Sequence, residues 1–381
     1  EELSSITQET KAISRWEYLC TQFTVIVKYI RLLLLPAGQN IDHHIIFKKG
    51  FWDGAAPVCF MLLAGLAAWG ALNFRKNPVI TISVFWFFIT LSIESSFIPI
   101  RDAMFEHRLY LPMFGFAFLL PYLFFRYLPV RAGKLPVLLL ILIVTALAAT
   151  TYLRNETWKD TLTLWTDVVE KSPLNARGHY NIGQVYLNRG DHQEALRWYE
   201  KAVKLKPEYA QAYNNRGISL AAMGRLEEAI DSYRQAVLYK PDHAQAYYNM
   251  SLSHQKQGNT RDEITALLET TGLDPKHPDA FNNLGAAYMA VGESAKALEA
   301  YRKGLETQPR KPGLLINLGS AHSSLGNNVE AISWFNKALE VDPGNARAYY
   351  NLGNVYSDEG KMEQAIEAYH RAIELDPGYI D

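Results

Sequence analysis

AQAYNNRGISLAAMGRLEEAIDSYRQAVLYKPDH, residues 210–243, settles the architecture, because close variants of it recur at a fixed step of 34 residues, as in ARAYYNLGNVYSDEGKMEQAIEAYHRAIELDPGY at 346–379. Six complete units begin at Ala176, Ala210, Ala244, Pro278, Pro312 and Ala346, end at Tyr379 and admit no insertion. Each carries a small residue in its first half (Gly183, Gly217, Ser251, Gly285, Gly319, Gly353). Five carry an alanine in the second half (Ala195, Ala229, Ala297, Ala331, Ala365), and all close on a proline (Pro207, Pro241, Pro275, Pro309, Pro343, Pro377). Small residues held in register let two helices approach, and the proline ends the second helix. One polar residue keeps the same register: Asn181, Asn215, Asn249, Asn283, Asn317 and Asn351.

This is the tetratricopeptide (TPR) signature over residues 176–379. A single helix pair cannot bury its own apolar face, so the units are expected to stack into a right-handed α-solenoid with an inner groove lined by the first helices. The asparagines sit in those first helices. Their amides both donate and accept, so they suit the backbone of an extended protein or peptide segment whatever its side chains. The arrangement resembles the superhelix of O-GlcNAc transferase, in which an asparagine ladder holds protein substrates. The alternative is that each asparagine bonds the neighbouring repeat, and the two roles are compatible. The residues just before them, Tyr180, Asn214, Tyr248, Asn282, Ile316 and Tyr350, lack the lysines and arginines of chaperone-tail clamps. The third unit departs from the pattern at Glu263, Leu267 and Thr270, and a softer second helix is expected there.

Composition changes near residue 154. Apolar runs at 55–73, 78–94, 109–125 and 135–153 each approach the roughly 20 residues that cross a hydrocarbon core as a helix. The whole is therefore read as all-α: a polytopic transmembrane helical domain over 1–153, a connecting helix over 154–175, and six repeats over 176–379. Residues 1–150 carry a net +4 and residues 151–381 a net −5, which sum to the −1 of the whole chain and leave no nucleic-acid signature. Arg75 and Lys76, and Arg126, Arg131 and Lys134, lie in two short loops, which places those loops in the cytoplasm and the repeats on the opposite, non-cytoplasmic face. Trp165 and Pro173 stand where a TPR second helix has its aromatic and its proline, so the last apolar run is expected to serve as the first helix of that pair.

Two groups of residues in the apolar half invite a functional reading. In the helix expected over 18–35, Thr21, Thr24, Lys28 and Arg31 fall on one stripe. Lys28 and Arg31 there either snorkel to headgroups or face a cavity holding a lipid phosphate. Between the second and third strong runs, ESSFIPIRDAMFEHRLYLP (94–112) crowds Glu94, Arg101, Asp102, Glu106, His107 and Arg108 beside the membrane. Arginine's planar fork suits phosphate, and a carboxylate or imidazole nearby can move a proton. The alternative is a solvated loop in which these charges pair with one another.

EHRLYLP (Glu106 to Pro112) with Gly115, TQFTVIVKYIRLLLLP (Thr21 to Pro36) with Asp42 and His43, and the repeats behind the last apolar run together resemble the TMTC family and its bacterial relatives. These are transmembrane, TPR-containing proteins of the GT-C glycosyltransferase class. The resemblance implies transfer of mannose or another sugar from a polyprenyl-phosphate carrier to protein Ser or Thr on the lumenal or periplasmic side of a membrane, which for a bacterial member is the inner membrane. Arg101, Glu106, His107 and Arg108 then become contacts for the carrier phosphate. GT-C enzymes place their catalytic acid, and any divalent metal it holds, in a loop nearer the N-terminus than this chain reaches. The chain is accordingly read as a fragment whose catalytic residues lie upstream of Glu1, inactive by itself and holding no cofactor. A non-catalytic membrane-anchored scaffold that gathers proteins in the same groove is the second reading.

Other chemistries lack their motifs. No Walker loop, HExxH pair, GxSxG elbow or paired CxxC occurs. Cys20 and Cys59 fall in apolar runs without disulfide or metal spacing, and His43 and His44 after Asp42 read as headgroup contacts rather than metal ligands.

Overall fold

The computed structural model describes residues 13–94, 104, 109–127, 134–277 and 279–378, and every regular element among them is helical. Two compact units emerge, Glu1–Val185 and Tyr186–Asp381.

The first unit opens with α1 (Arg15–Leu34), started by a capping box in which Glu17 N–H donates to Ser14 Oγ at 3.2 Å and the Glu17 carboxylate accepts from Ser14 N–H at 3.0 Å. The apolar runs follow as α2 (Ala56–Leu72), α3 (Pro78–Glu94), α4 (Tyr110–Tyr127) and α5 (Leu135–Asn155). Small residues set how closely α2, α3 and α4 approach. A side chain at Gly70 would strike Val84, and one at Gly115 would come within 2.5 Å of the Ser83 carbonyl oxygen. Val25, Tyr29 and Leu32 of α1 bury against Phe87 and Leu91 of α3.

α5 is different, since none of its residues is buried. With the 3-10 turn Glu156–Trp158 it forms a 24-residue run, Leu135–Trp158, the one helix among the described residues that is long and apolar enough to cross a membrane. Ala56–Leu72 and Pro78–Ser92 are apolar but shorter. The expectation of four spans therefore narrows, on length and composition, to one helix that meets the requirement outright. The other runs form helices where expected.

α6 (Thr161–Lys171) begins at Asp160, whose carboxylate caps Thr163 N–H at 2.9 Å. It turns back on the end of α5 through Arg154, which donates to Asp167 Oδ2 at 2.7 Å, while Lys171 pairs with the other oxygen at 2.6 Å. Arg154 thus ties the end of the apolar helix to α6, but the two helices do not pack along their lengths as the repeat pairs do, so α5 does not take the place of a first repeat helix expected from Trp165 and Pro173. α7 (Ala176–Asn188) follows, with Gly178 against Val168 and Val169.

Helices α8 to α18 complete the stack: α8 (His192–Leu205), α9 (Ala210–Ala222), α10 (Leu226–Tyr239), α11 (Ala244–Gln257), α12 (Thr260–Leu273), α13 (Ala280–Ala290), α14 (Ser294–Thr307), α15 (Pro312–Ser324), α16 (Asn328–Val341), α17 (Ala346–Asp358) and α18 (Met362–Leu375). A left-handed glycine joins the two helices of a unit, as at Gly258 with φ of 75°. Within a pair, the first-helix glycine receives the ring of the second: a Cβ at Gly319 would lie 2.5 Å from Phe335, and one at Gly217 the same distance from Tyr233.

The third unit changes both partners of that pair, Ser251 in place of glycine and Leu267 in place of the ring. A smaller aliphatic group leaves room for a serine side chain, whose hydroxyl returns to the Tyr248 carbonyl at 2.7 Å. Leu267 and Thr270 are fully buried, so α12 packs as its counterparts do, contrary to the softer helix expected from sequence. The difference lies in the first helices. α9 packs on α11, α13 on α15 and α15 on α17, whereas α11 and α13 stand further apart.

Candidate functional site

Five of the six repeat asparagines lie in the second compact unit, whereas Asn181 and the charged groups of the apolar half lie in the first, and each site is built from its own helices.

In the second unit the asparagines link neighbouring repeats. Asn249 donates to Asn214 Oδ1 at 3.0 Å, Asn214 to Asn215 Oδ1 at 3.1 Å, and Asn215 to the Tyr199 hydroxyl at 3.4 Å. The pattern repeats two units later: Asn317 donates to Asn282 at 2.8 Å, Asn282 to Asn283 at 3.4 Å, and Asn283 to the Tyr248 hydroxyl at 3.2 Å. Each relay is fed at its far end, by Gln245 onto Asn249 at 3.1 Å and by Arg347 onto Asn317 at 2.7 Å. Asn351 donates to Ser320 Oγ at 3.3 Å. Asn181, in the first unit, donates to the Arg177 carbonyl of its own helix at 2.9 Å.

Asparagine doublets therefore occur where first helices lie close, at α9 with α11 and α13 with α15. Across the wider α11–α13 step a tyrosine supplies the reach. Asn215 is buried and the other five are half-buried, so five of the six residues stay partly exposed while their amides are held. Sequence reasoning missed Asn214 and Asn282 as members of the network. The signal was present in the doublets Asn214-Asn215 and Asn282-Asn283, two units apart.

In the first unit the stripe on α1 is covered by the segment that follows it. Residues 36–50 run back along the helix: Arg31 donates to the Ala37 carbonyl at 3.2 Å, Lys28 Nζ lies 3.1 Å from His43 Nδ1, and Lys48 N–H donates to Thr21 Oγ1 at 2.8 Å. The same segment reaches the repeats' first helix. Asn40, fully buried, donates to Ser172 Oγ at 3.0 Å, Asn175 donates to the Asp42 carbonyl at 3.0 Å, and Arg177 lies 3.5 Å from the Asp42 carboxylate. These bonds explain why the compact unit extends past residue 154 into α7. Between α3 and α4 an apolar groove of about 620 Å³ is lined by Ile82, Trp86, Phe114 and Phe118. Arg101, Glu106, His107 and Arg108 lie outside the described residues.

Comparison with known proteins covers the repeats most fully. The family model for the tetratricopeptide repeat matches residues 278–311 and 346–379, and the related TPR repeat model matches 183–224, 219–258 and 323–358. The chain therefore carries TPR repeats. Over 107 residues it is 36% identical to a protein O-mannosyl-transferase of Caenorhabditis elegans, a match spanning 26% of this chain and 15% of that protein. Among solved structures, YrrB, described as a TPR protein with an unusual peptide-binding site, is 25% identical at a TM-score of 0.44, covering 48% of this chain and 93% of YrrB. PilF of Pseudomonas aeruginosa is 20% identical at a TM-score of 0.45, covering 53% and 92% respectively.

Proposed function

We propose that this chain is the membrane-anchored, acceptor-binding part of a GT-C-type glycosyltransferase, in which the TPR groove holds an extended protein segment for sugar transfer to Ser or Thr from a polyprenyl-phosphate carrier. The observation that carries this reading is the continuity at residues 135–171. An apolar helix with no buried residue needs a non-aqueous cover, and its end is joined to α6 through a short turn and the Arg154–Asp167 ion pair. The similarity to a protein O-mannosyl-transferase favours sugar transfer as the chemistry. The apolar groove between α3 and α4 suits a hydrocarbon chain, and Lys28 and Arg31 supply positive charge within the same unit. Arg101, Glu106, His107 and Arg108 would contact the carrier phosphate, and the repeats would stand on the non-cytoplasmic face.

The test uses the full-length natural protein containing this chain, reconstituted in liposomes with polyprenyl-phosphate-linked radiolabelled mannose or glucose and a Ser/Thr peptide. Label is expected in the peptide, and it should fall at least about tenfold in Arg108→Ala, as for loss of a charge-assisted phosphate contact. Peptide binding with no transfer from any carrier, unaffected by Arg108→Ala, would instead identify a non-catalytic scaffold.

A further inference from the structure

Charge is segregated between the two helices of each repeat. The first helices of the second to fifth repeats, α9, α11, α13 and α15, hold only Arg216 and Lys256 as formally charged side chains, histidines aside, and Arg216 donates to Ser232 on its own second helix at 3.2 Å. Their second helices are richly charged: even the poorest, α16, holds Glu330, Lys337 and Glu340. Because successive first helices pack on one another and second helices do so less, the first helices form the inner wall of this unit.

Side chains at i−4, i+3 and i+7 share a helical face with each asparagine. Around Asn215 these are Gln211, Ile218 and Ala222, and around Asn317 they are Gly313, Ser320 and Ser324. Around Asn283 the one charge, Asp279, is neutralised by Lys311 at 2.5 Å. The remaining charges at this wall are Lys256, on the Asn249 stripe, and Arg347, which reaches Asn317 from the sixth repeat.

From this we infer that the groove of repeats two to five selects extended polypeptide segments free of charged side chains. The inference rests on the peptide-groove reading above and adds the chemical class of the occupant. A charged side chain entering such a wall loses hydration and finds almost no counter-charge. An uncharged segment loses less and can meet amide groups, because each asparagine amide has two N–H groups and a carbonyl with two lone pairs. The relay bonds engage one N–H and one carbonyl contact of Asn249, Asn283 and Asn317. The relays also fix the amides before a ligand arrives, which lowers the ordering cost of binding.

The measurement is fluorescence anisotropy on the whole protein in nanodiscs with three labelled peptides of equal length: one built from Ser, Thr, Gly, Ala and Gln, one with interspersed Lys and one with interspersed Asp. The uncharged peptide should bind at least about tenfold more tightly than either charged one, a difference of about 1.4 kcal/mol. In the variant Gln211→Lys with Gln245→Lys, the Asp peptide should gain about tenfold and the Lys peptide should weaken further. Binding of either charged peptide as tightly as the uncharged one, or a preference unmoved by the two lysines, overturns the inference and leaves the peptide groove standing. Failure of all three peptides to bind removes both.

Discussion

Asn317 donates to Asn282 of the preceding repeat at 2.8 Å, and Asn282 passes the bond on to Asn283 at 3.4 Å. One side chain thus joins the first helices of two repeats and orients the next asparagine. Asn282→Ala removes both bonds and leaves the half-buried Asn317 amide without this acceptor. The expected cost is about 1–3 kcal/mol, read as a lowered thermal midpoint by circular dichroism. Asn181→Ala, whose amide returns only to its own helix, should cost less than about 1 kcal/mol.

Gly319 and Phe335 form a tight pair for which the third repeat offers a looser substitute. Gly319→Ser drives a side chain into the ring and is expected to cost about 1–3 kcal/mol. Phe335→Leu should cost about as much by leaving a void. Combined, they recreate the Ser251 and Leu267 arrangement, so a double-mutant cycle should show the pair less destabilising than the sum by at least about 0.5 kcal/mol. Strict additivity would refute the size-exchange account.

Buried titrating groups in the repeats make opposite contributions to pH dependence. Burial pushes the Glu263 carboxyl up, an effect its bond from Gln255 partly offsets. A raised folded-state value means that stability is fullest below the unfolded carboxylate range and falls as pH rises through the folded value. Glu263→Gln should therefore raise the melting temperature at pH 7 and change it little near pH 4. Burial pushes the His254 and His322 imidazoles down, and Arg234 and Arg302 respectively add to that, while Asp262 and Glu330 oppose it. Their contribution is present above the ordinary imidazole range and is lost as pH falls through their lowered values. His322→Gln should flatten the decline as pH falls below the ordinary imidazole range.

Arg154 and Asp167, 17% and 13% exposed, hold the end of α5 against α6. Arg154→Ala leaves Asp167 paired with Lys171 alone, and a loss of about 1–3 kcal/mol is expected for a charge-assisted bond in this setting. Limited proteolysis should then cut faster between residues 155 and 165, while the repeats beyond residue 190 keep their protection. Unchanged cutting would show that the joint does not depend on this pair.

The sequence made the repeat architecture readable because small residues, rings and prolines keep a 34-residue step, and those residues determine how closely helices approach. Leu267 was visible as a departure in the third unit, but with Glu263 and Thr270 it was read as softness, and Ser251, counted among the small residues, was not recognised as its compensating partner. The relays were harder to see. Their partners lie 35 residues apart and meet only through the angle between stacked repeats, which a linear pattern does not encode. The cover over Lys28 and Arg31 was invisible for a different reason: residues 36–50 are irregular, and no periodicity announces that His43 and Lys48 return to α1. Apolar runs gave the helix positions well. Whether a run of 17 residues such as Ala56–Leu72 spans a bilayer depends on tilt and local thickness, which composition does not fix.

Anchoring of the groove on the non-cytoplasmic face can be read from one cysteine. With Cys20→Ala and Cys59→Ala as background, Gln211→Cys places a thiol at an exposed position on the first helix of the second repeat. In intact cells whose outer permeability barrier alone has been opened, a membrane-impermeant maleimide should modify this residue at least about tenfold faster than a cysteine replacing Lys76, in a loop expected to face the cytoplasm. Modification of residue 211 only after the inner membrane is broken would contradict the arrangement, and with it the proposal that the repeats present acceptors to a lipid-linked sugar.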